Sequence, residues 1–208
     1  MMKMLLNGRE LDGFLDQELT LGGALRRVQE QAIPPQQVIA SVWVDGAALS
    51  AEHLAQWKDR PIREFAETHV QAADRKALAI NGLQLLAEGL EQSASLRAEI
   101  SEQLWQGKTA QAMDKLGGYL QIWNGTQAFL GSVARLLEVE PGEIKLDDAE
   151  PARTSSALID KLTSQLQELH SALSAGDFVL LGDILAYEFG PLTEDWTGML
   201  REISRKQA

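Results

Sequence analysis

The apolar residues of this chain change their spacing near residue 71, and that change limits what each part can fold into. Ahead of it they alternate with a period of two, the mark of strands with one buried face. Beyond it they recur every three or four residues, the mark of amphipathic helices. A sequence with both patterns in separate blocks predicts an α+β protein: a small sheet domain over residues 1–71 and an antiparallel helical bundle over 72–208.

In the first block, "KMLLNGREL" places Asn7-Gly8 where a two-residue hairpin needs positive φ angles. Thr20 is placed to cap a short helix with Leu21, Ala24, Leu25 and Val28 on one face, and Pro34-Pro35 ends it. "QVIASVWVDGAAL" reads as a strand with Val38, Ala40, Val42 and Val44 on one face and Ile39 and Trp43 on the other, followed by an Asp45-Gly46 turn. A short crossover containing Leu54 and Trp57 leads to the alternating "IREFAETHV", which closes the sheet.

The order strand, strand, helix, strand, crossover, strand, with its "NG" and "DG" turns, resembles the β-grasp or ubiquitin-like fold. Carriers of that family end in an exposed Gly-Gly tail. Here the chain runs on through "QAADRKALAINGL" and its one early pair, Gly22-Gly23, falls inside the first helix, so a carrier role is not expected.

In the second block, Ala79, Leu83, Leu86 and Leu90 form one stripe and Leu96, Ile100 and Leu104 another, as two helices or one bent helix. "TAQAMDKLGGYLQIWNGTQAFLGSVARLLEV" carries a heptad-like face and is the longest helix candidate. An acidic, Pro-containing stretch with Asp147, Asp148 and Glu150 reads as an exposed connection. Leu158, Leu162, Leu166, Leu169 and Leu173 mark a further helix, with Gly176 as its C-terminal cap and Asp177 as the N-cap of the last one.

That last helix opens with "GDFVLLGDILAYEFGP". At about 100° per residue, Leu181, Leu185, Leu192, Met199 and Ile203 gather into a core face, flanked by Phe178, Phe189 and Trp196. Asp183 falls opposite and is expected in solvent. Glu188 falls beside the core face and is expected to be partly buried, joined to a Trp N–H, a Tyr hydroxyl or an arginine such as Arg135. Val179, Leu180, Ile184 and Tyr187 put apolar surface away from the core, which predicts a second surface packed on this helix. Gly190-Pro191 predicts a kink.

The chemistry available is narrow. The net charge of -11, divided as -3 before residue 72 and -8 after it, repels phosphate backbones and anionic lipid, so neither nucleic acid nor membrane is an expected partner. There is no cysteine, hence no disulfide or thiolate chemistry. The three histidines, His53, His69 and His170, lack ligand spacing, and no phosphate-loop or nucleophile-elbow motif occurs. No catalytic residue, metal or cofactor is predicted. The opening "MMKMLLNGREL" is too short in apolar residues for a signal segment, and a cytoplasmic protein is expected.

Of the five tryptophans, Trp57 and Trp105 sit beside polar, turn-like sequence and are candidates for contact with a partner; the others are expected in the core. "TLGGALRRVQEQAIPPQQVIASVWVDGAAL" together with "AGDFVLLGDILAYEFGPLTEDW" resembles a group of uncharacterised bacterial proteins with the same two-part layout, whose last helix pattern is matched by Tyr187, Glu188 and Pro191. In size, acidity and bundle form the chain is also similar to bacterial flagellar and secretion chaperones, which hold amphipathic partner helices. The expected function is a protein–protein interaction module, adaptor-like or chaperone-like, that binds a protein partner or itself. Its candidate residues are Val179, Leu180, Tyr187, Glu188, Trp57 and Trp105. The alternative is a small-ligand binder or enzyme with a pocket between sheet and bundle near Glu188.

Overall fold

The computed structural model of the chain describes residues 2–11, 19–137, 140, 142 and 154–207. They form an α+β protein that separates into two compact units, Met1–Leu78 and Ala79–Ala208. The acidic run at Asp147, Asp148 and Glu150 lies outside the described residues.

The first unit is a five-stranded mixed sheet with a helix packed on it. Strands β1 (Lys3–Leu6) and β2 (Arg9–Glu10) form the first hairpin. Asn7 and Gly8 turn it at φ 50° and 80°, and Asp45 and Gly46 repeat those angles between β3 (Gln37–Val44) and β4 (Ala47–Ala48). Strand β5 (Glu67–Asp74) pairs parallel with β1 and antiparallel with β3, giving the order β2-β1-β5-β3-β4. That order, with its central parallel pair, is the β-grasp arrangement. Helix α1 (Leu21–Gln31) is capped by the Thr20 side chain, which accepts from Gly23 N, and buries Leu21, Ala24, Leu25 and Val28 against Met4, Val42, Val44 and Val70.

Two details differ from the sequence reading of the sheet. The face assigned to Val38, Ala40, Val42 and Val44 is broken, because a bulge between Ile39 and Ser41 shifts the register. Val42 and Val44 point inward, Ala40 is exposed, and Ile39 rather than Val38 packs on the core. The final strand also continues to Asp74, where the helical spacing was expected to begin at Ala72. Helix α2 (Ala51–Trp57) forms the crossover, followed by a short 3-10 turn at Ile62–Glu64.

The second unit is a bundle built from α3 (Arg75–Trp105), α4 (Thr109–Leu137), α5 (Ser156–Ala175) and a last helix in three segments. These are α6 (Phe178–Asp183), a π turn at Ile184–Glu188 and α7 (Phe189–Gln207). The two stripes in the first part form one helix, α3, and at 31 residues it outruns α4 at 29. Gly176 ends α5 at φ 68° and the Asp177 side chain caps Leu180 N at 3.0 Å.

Ion pairs fix the directions. Glu99 meets Lys115 across the α3–α4 turn, Glu91 meets Arg201, and Lys161 meets Asp195. Taken with Arg97–Leu185, Trp105–Asp183 and Leu158–Trp196, they have residue numbers rising on one helix as they fall on its neighbour, so α3, α4, α5 and α6–α7 run up, down, up and down. The core they share centres on an aromatic cluster: Trp123 meets Phe189 and Trp196 edge-on at 5.7 and 5.8 Å, and Tyr119 meets Phe189 at 6.0 Å.

Candidate functional site

In an unbroken α-helix Glu188 would follow Leu181, Ile184 and Leu185 at i+7, i+4 and i+3, and so would cover the core. The π turn prevents this. Phe189 N–H donates to Ile184 O, five residues back, and the extra residue in that turn brings Phe189 inward in place of Glu188. Phe189 and Leu185 are fully buried, Ile184 is buried as well, and Glu188 is exposed. Two expectations are thereby corrected: Glu188 is not a buried carboxylate, and Ile184 belongs to the core rather than to the outer side. A fixed angle per residue cannot represent one inserted residue.

The expected irregularity at Gly190-Pro191 lies one turn earlier, and for a physical reason. Pro191 has no N–H to give back to the preceding turn, so carbonyls there lose a donor. Arg97 of α3 supplies it: Nη1 donates to Leu185 O at 2.9 Å and to Ala186 O at 3.0 Å. Gly190 lets the guanidinium come close, since a Cβ there would lie 3.3 Å from Nη1.

By holding Glu188 and Phe189 in these positions, the π turn also fixes what faces outward. Val179, Asp183 and Tyr187 recur at four-residue steps along one stripe, with Leu180 beside it. Against this stripe rests Trp105, the last residue of α3. Its Nε1 donates to Asp183 Oδ1 at 3.0 Å, and its ring lies 6.3 Å from that of Tyr187. Gly182 makes the contact possible, because a Cβ at that position would fall 2.8 Å from Trp105 Nε1. Asp183, expected to be free in solvent, is therefore the polar anchor of an indole.

The result is an apolar patch on the bundle surface. Val179 is 63% exposed, Leu180 46%, Trp105 46% and Tyr187 68%. Side chains of these sizes at these exposures present on the order of 400 Å² together, comparable with the largest apolar patches on monomers, which run to ~300–600 Å² and are often functional. Trp105 is fixed by its hydrogen bond and by the glycine beneath it, so little side-chain freedom remains to be lost on contact. The patch therefore offers one pre-oriented indole, one phenol and two aliphatic groups.

Trp57 belongs to the first unit, and the patch to the second. Trp57 is half-buried, stacked on Phe65 at 5.8 Å with the Arg60 guanidinium 5.1 Å from its ring. Trp123 and Trp196 are fully buried core residues, as expected, whereas Trp43, also expected in the core, is only half-buried and lines a concavity.

Concavities lined by described residues lie elsewhere. One, of about 550 Å³, lies on the first unit and is lined by Asn7, Trp43, His69 and Gln71 among others. Another, of about 370 Å³, lies between α3 and α7 and includes Arg97, Thr197 and Arg201. In the second, Arg97 is engaged by backbone carbonyls and Arg201 pairs with Glu91 at 2.7 Å. Glu188 lines neither. Among the described residues no three His, Asp or Glu side chains gather as a metal site, and no helix is long and apolar enough to cross a membrane.

One titration is perturbed within the core. Burial raises the pKa of the Tyr119 hydroxyl above its ordinary 10.0, offset in part by Trp123, Thr193 and Arg97. The hydroxyl and the Trp123 Nε1 are both buried near one another, and among the described residues neither reaches a partner at full hydrogen-bond geometry.

Residues 79–199, more than half of the chain, match the family model described as a domain of unknown function, DUF8042. The chain belongs to the DUF8042 family. Its first unit matches a second family model, the TP0873 N-terminal domain, over residues 2–74. No curated protein and no solved structure matches the chain. All the residues that build the patch, with Arg97 and the π turn that orient them, fall inside the DUF8042 match, so the site lies within the family's own segment.

Sequence reasoning found Val179, Leu180, Tyr187 and Trp105 separately. It missed Gly182 and Arg97, which act across 77 and 88 positions of sequence on Trp105 and Leu185. The available signals were Pro191, which implies an unserved carbonyl one turn earlier, and a glycine in an otherwise apolar helix.

Proposed function

We propose that this chain is a non-catalytic protein–protein interaction module that docks a partner on the patch formed by Trp105, Val179, Leu180 and Tyr187. The observation that carries the reading is Trp105, a half-exposed indole held in one orientation by Asp183 and seated on Gly182. Tryptophan and tyrosine are the residues most often found at the energetic centre of interfaces, where neighbouring aliphatic groups exclude water around them. A ligand pocket built on Glu188 finds less support, since that side chain is exposed rather than buried beside the core.

The test is affinity capture with mass spectrometry, using the full chain and a Leu180→Asp, Tyr187→Ala variant in parallel, with light scattering on both. The expected outcome is a partner, or a second copy, retained by the wild type and lost by the variant. A strictly monomeric wild type that captures nothing, or a partner retained equally by both, would refute the proposal.

A further inference from the structure

The patch does not stand in a neutral surrounding. From Ser171 to Leu200 the chain holds five acidic residues, Asp177, Asp183, Glu188, Glu194 and Asp195, and no Lys or Arg. From Ala98 to Gly107, the stretch of α3 that delivers Trp105, it holds Glu99 and Glu102 and again no Lys or Arg.

Some of these charges are offset. Glu99 pairs with Lys115 and Asp195 with Lys161. Asp177, Asp183, Glu188 and Glu102 form no ion pair among the described residues. Asp177 accepts from Leu180 N, Asp183 from the Trp105 indole and Glu102 from Gln106 Nε2, all neutral donors, while Glu188 is exposed beside Tyr187. The one arginine nearby, Arg97, gives Nη1 to the carbonyls of Leu185 and Ala186, and Lys108 lies in the turn beyond Trp105. Donating to neutral carbonyls leaves the Arg97 charge in place, so four formal negative charges against those of Arg97 and Lys108 give the apolar surface a net negative surrounding.

From this juxtaposition we infer that the occupant of the patch is a cationic amphipathic segment, in which an apolar stripe covers Leu180, Trp105 and Tyr187 while flanking Lys or Arg side chains face Asp177, Asp183, Glu102 and Glu188. The inference rests on the docking function proposed above and adds the chemistry of the partner. The stripe from Val179 to Tyr187 spans about 12 Å at 1.5 Å per residue, the length that two turns of a partner helix can cover with anchors at i, i+3 or i+4, and i+7. A partner with an acidic flank would set like charges against one another and be rejected. A second copy of the chain would bring the same four acids to the interface, so the inference favours a different partner over self-association.

The experiment follows the Trp105 indole resonance of the full-length ¹⁵N-labelled chain, assigned with Trp105→Phe. The probes are two synthetic 18-residue amphipathic helices with the same leucine stripe, one completed with lysine and the other with glutamate. The lysine peptide is expected to shift the Trp105 signal, with affinity falling at least about tenfold between 50 and 500 mM salt as screening shortens the range of the charges. It is expected to lose at least about tenfold against a Leu180→Ser, Tyr187→Ser variant, whose net charge is unchanged. The glutamate peptide is expected to leave the signal in place. Equal binding of both peptides at Trp105 would overturn the charge inference and leave docking intact. Equal binding of the lysine peptide to the serine variant would overturn it by showing attraction to bulk charge alone, and no shift with either peptide would overturn it too, leaving docking itself to the capture experiment.

Discussion

Deleting Ala186 should be tolerated where deleting Glu194 is not, because only the first removes a residue that the helix already carries in excess. In the π turn Phe189 N–H reaches back five residues to Ile184 O. Without Ala186, Phe189 falls four residues after Ile184, the place that an unbroken α-helix gives to the core, and every inward residue of α7 keeps its direction. Deleting Glu194 instead turns all that follows by about 100°. Trp196, Met199, Leu200 and Ile203, all at 3% exposure or less, would leave the core together. At ~2–5 kcal/mol for each such side chain lost, the sum exceeds ~8 kcal/mol, which matches the whole stability of many domains.

The Ala186 deletion has its own cost. Pro191 then sits in regular helix with its ring against the Tyr187 carbonyl, worth about 3 kcal/mol, and Arg97 loses acceptors worth about 1–3 kcal/mol more. Adding Pro191→Ala should recover the first part. Urea titration followed by tryptophan fluorescence and far-UV circular dichroism would rank the variants: wild type, then the Ala186 deletion with Pro191→Ala, then the Ala186 deletion, with the Glu194 deletion lacking a folded bundle. If the two single deletions prove equally damaging, the assigned role of the π turn is wrong.

Other consequences are simpler to measure. Arg97→Ala leaves two carbonyls of the π turn without their donor and is expected to destabilise the bundle by about 2–3 kcal/mol in urea, with Arg97→Lys recovering part of the loss. Gly182→Ala sets a methyl group 2.8 Å from Trp105 Nε1, so the indole should leave Asp183 and its N–H resonance should move, with stability changed by less than about 1 kcal/mol because the indole lies at the surface. Tyr119 has a folded-state pKa raised by burial, so its contribution is complete below pH 10 and is lost as pH rises above that, because the unfolded chain ionises first. Melting temperatures between pH 9 and 11 should therefore fall more steeply for the wild type than for Tyr119→Phe.

The turns and caps were legible in the sequence because each depends on one or two residues with fixed backbone preferences. Asn7-Gly8, Asp45-Gly46, Thr20, Gly176 and Asp177 all act locally, and the change of hydrophobic period marks sheet from bundle. What escaped were single-residue insertions. The bulge near Ala40 and the π turn at Ile184–Glu188 each add one residue to a regular element, and a uniform period assigns everything beyond them to the wrong side. That is how Val38 came to share a face with Val42 and Val44, and how Glu188 came to be placed inward and Ile184 outward. The exposed apolar residues of the candidate site could be read from α6 because Val179, Leu180 and Tyr187 exceed what one core face can hold. Their union with Trp105 could not, since it depends on Gly182 meeting the end of a different helix.

Docking on the patch requires a partner on the outer side of α6. A photo-crosslinking amino acid placed at position 180 of the full chain, in the cell that produces it, tests this most directly, with position 170 on the exposed side of α5 as the control. The expected result is a discrete adduct from position 180 after irradiation, absent from position 170, whose captured peptide carries an apolar stripe flanked by Lys or Arg. No adduct at 180, or the same products from both positions, would contradict it.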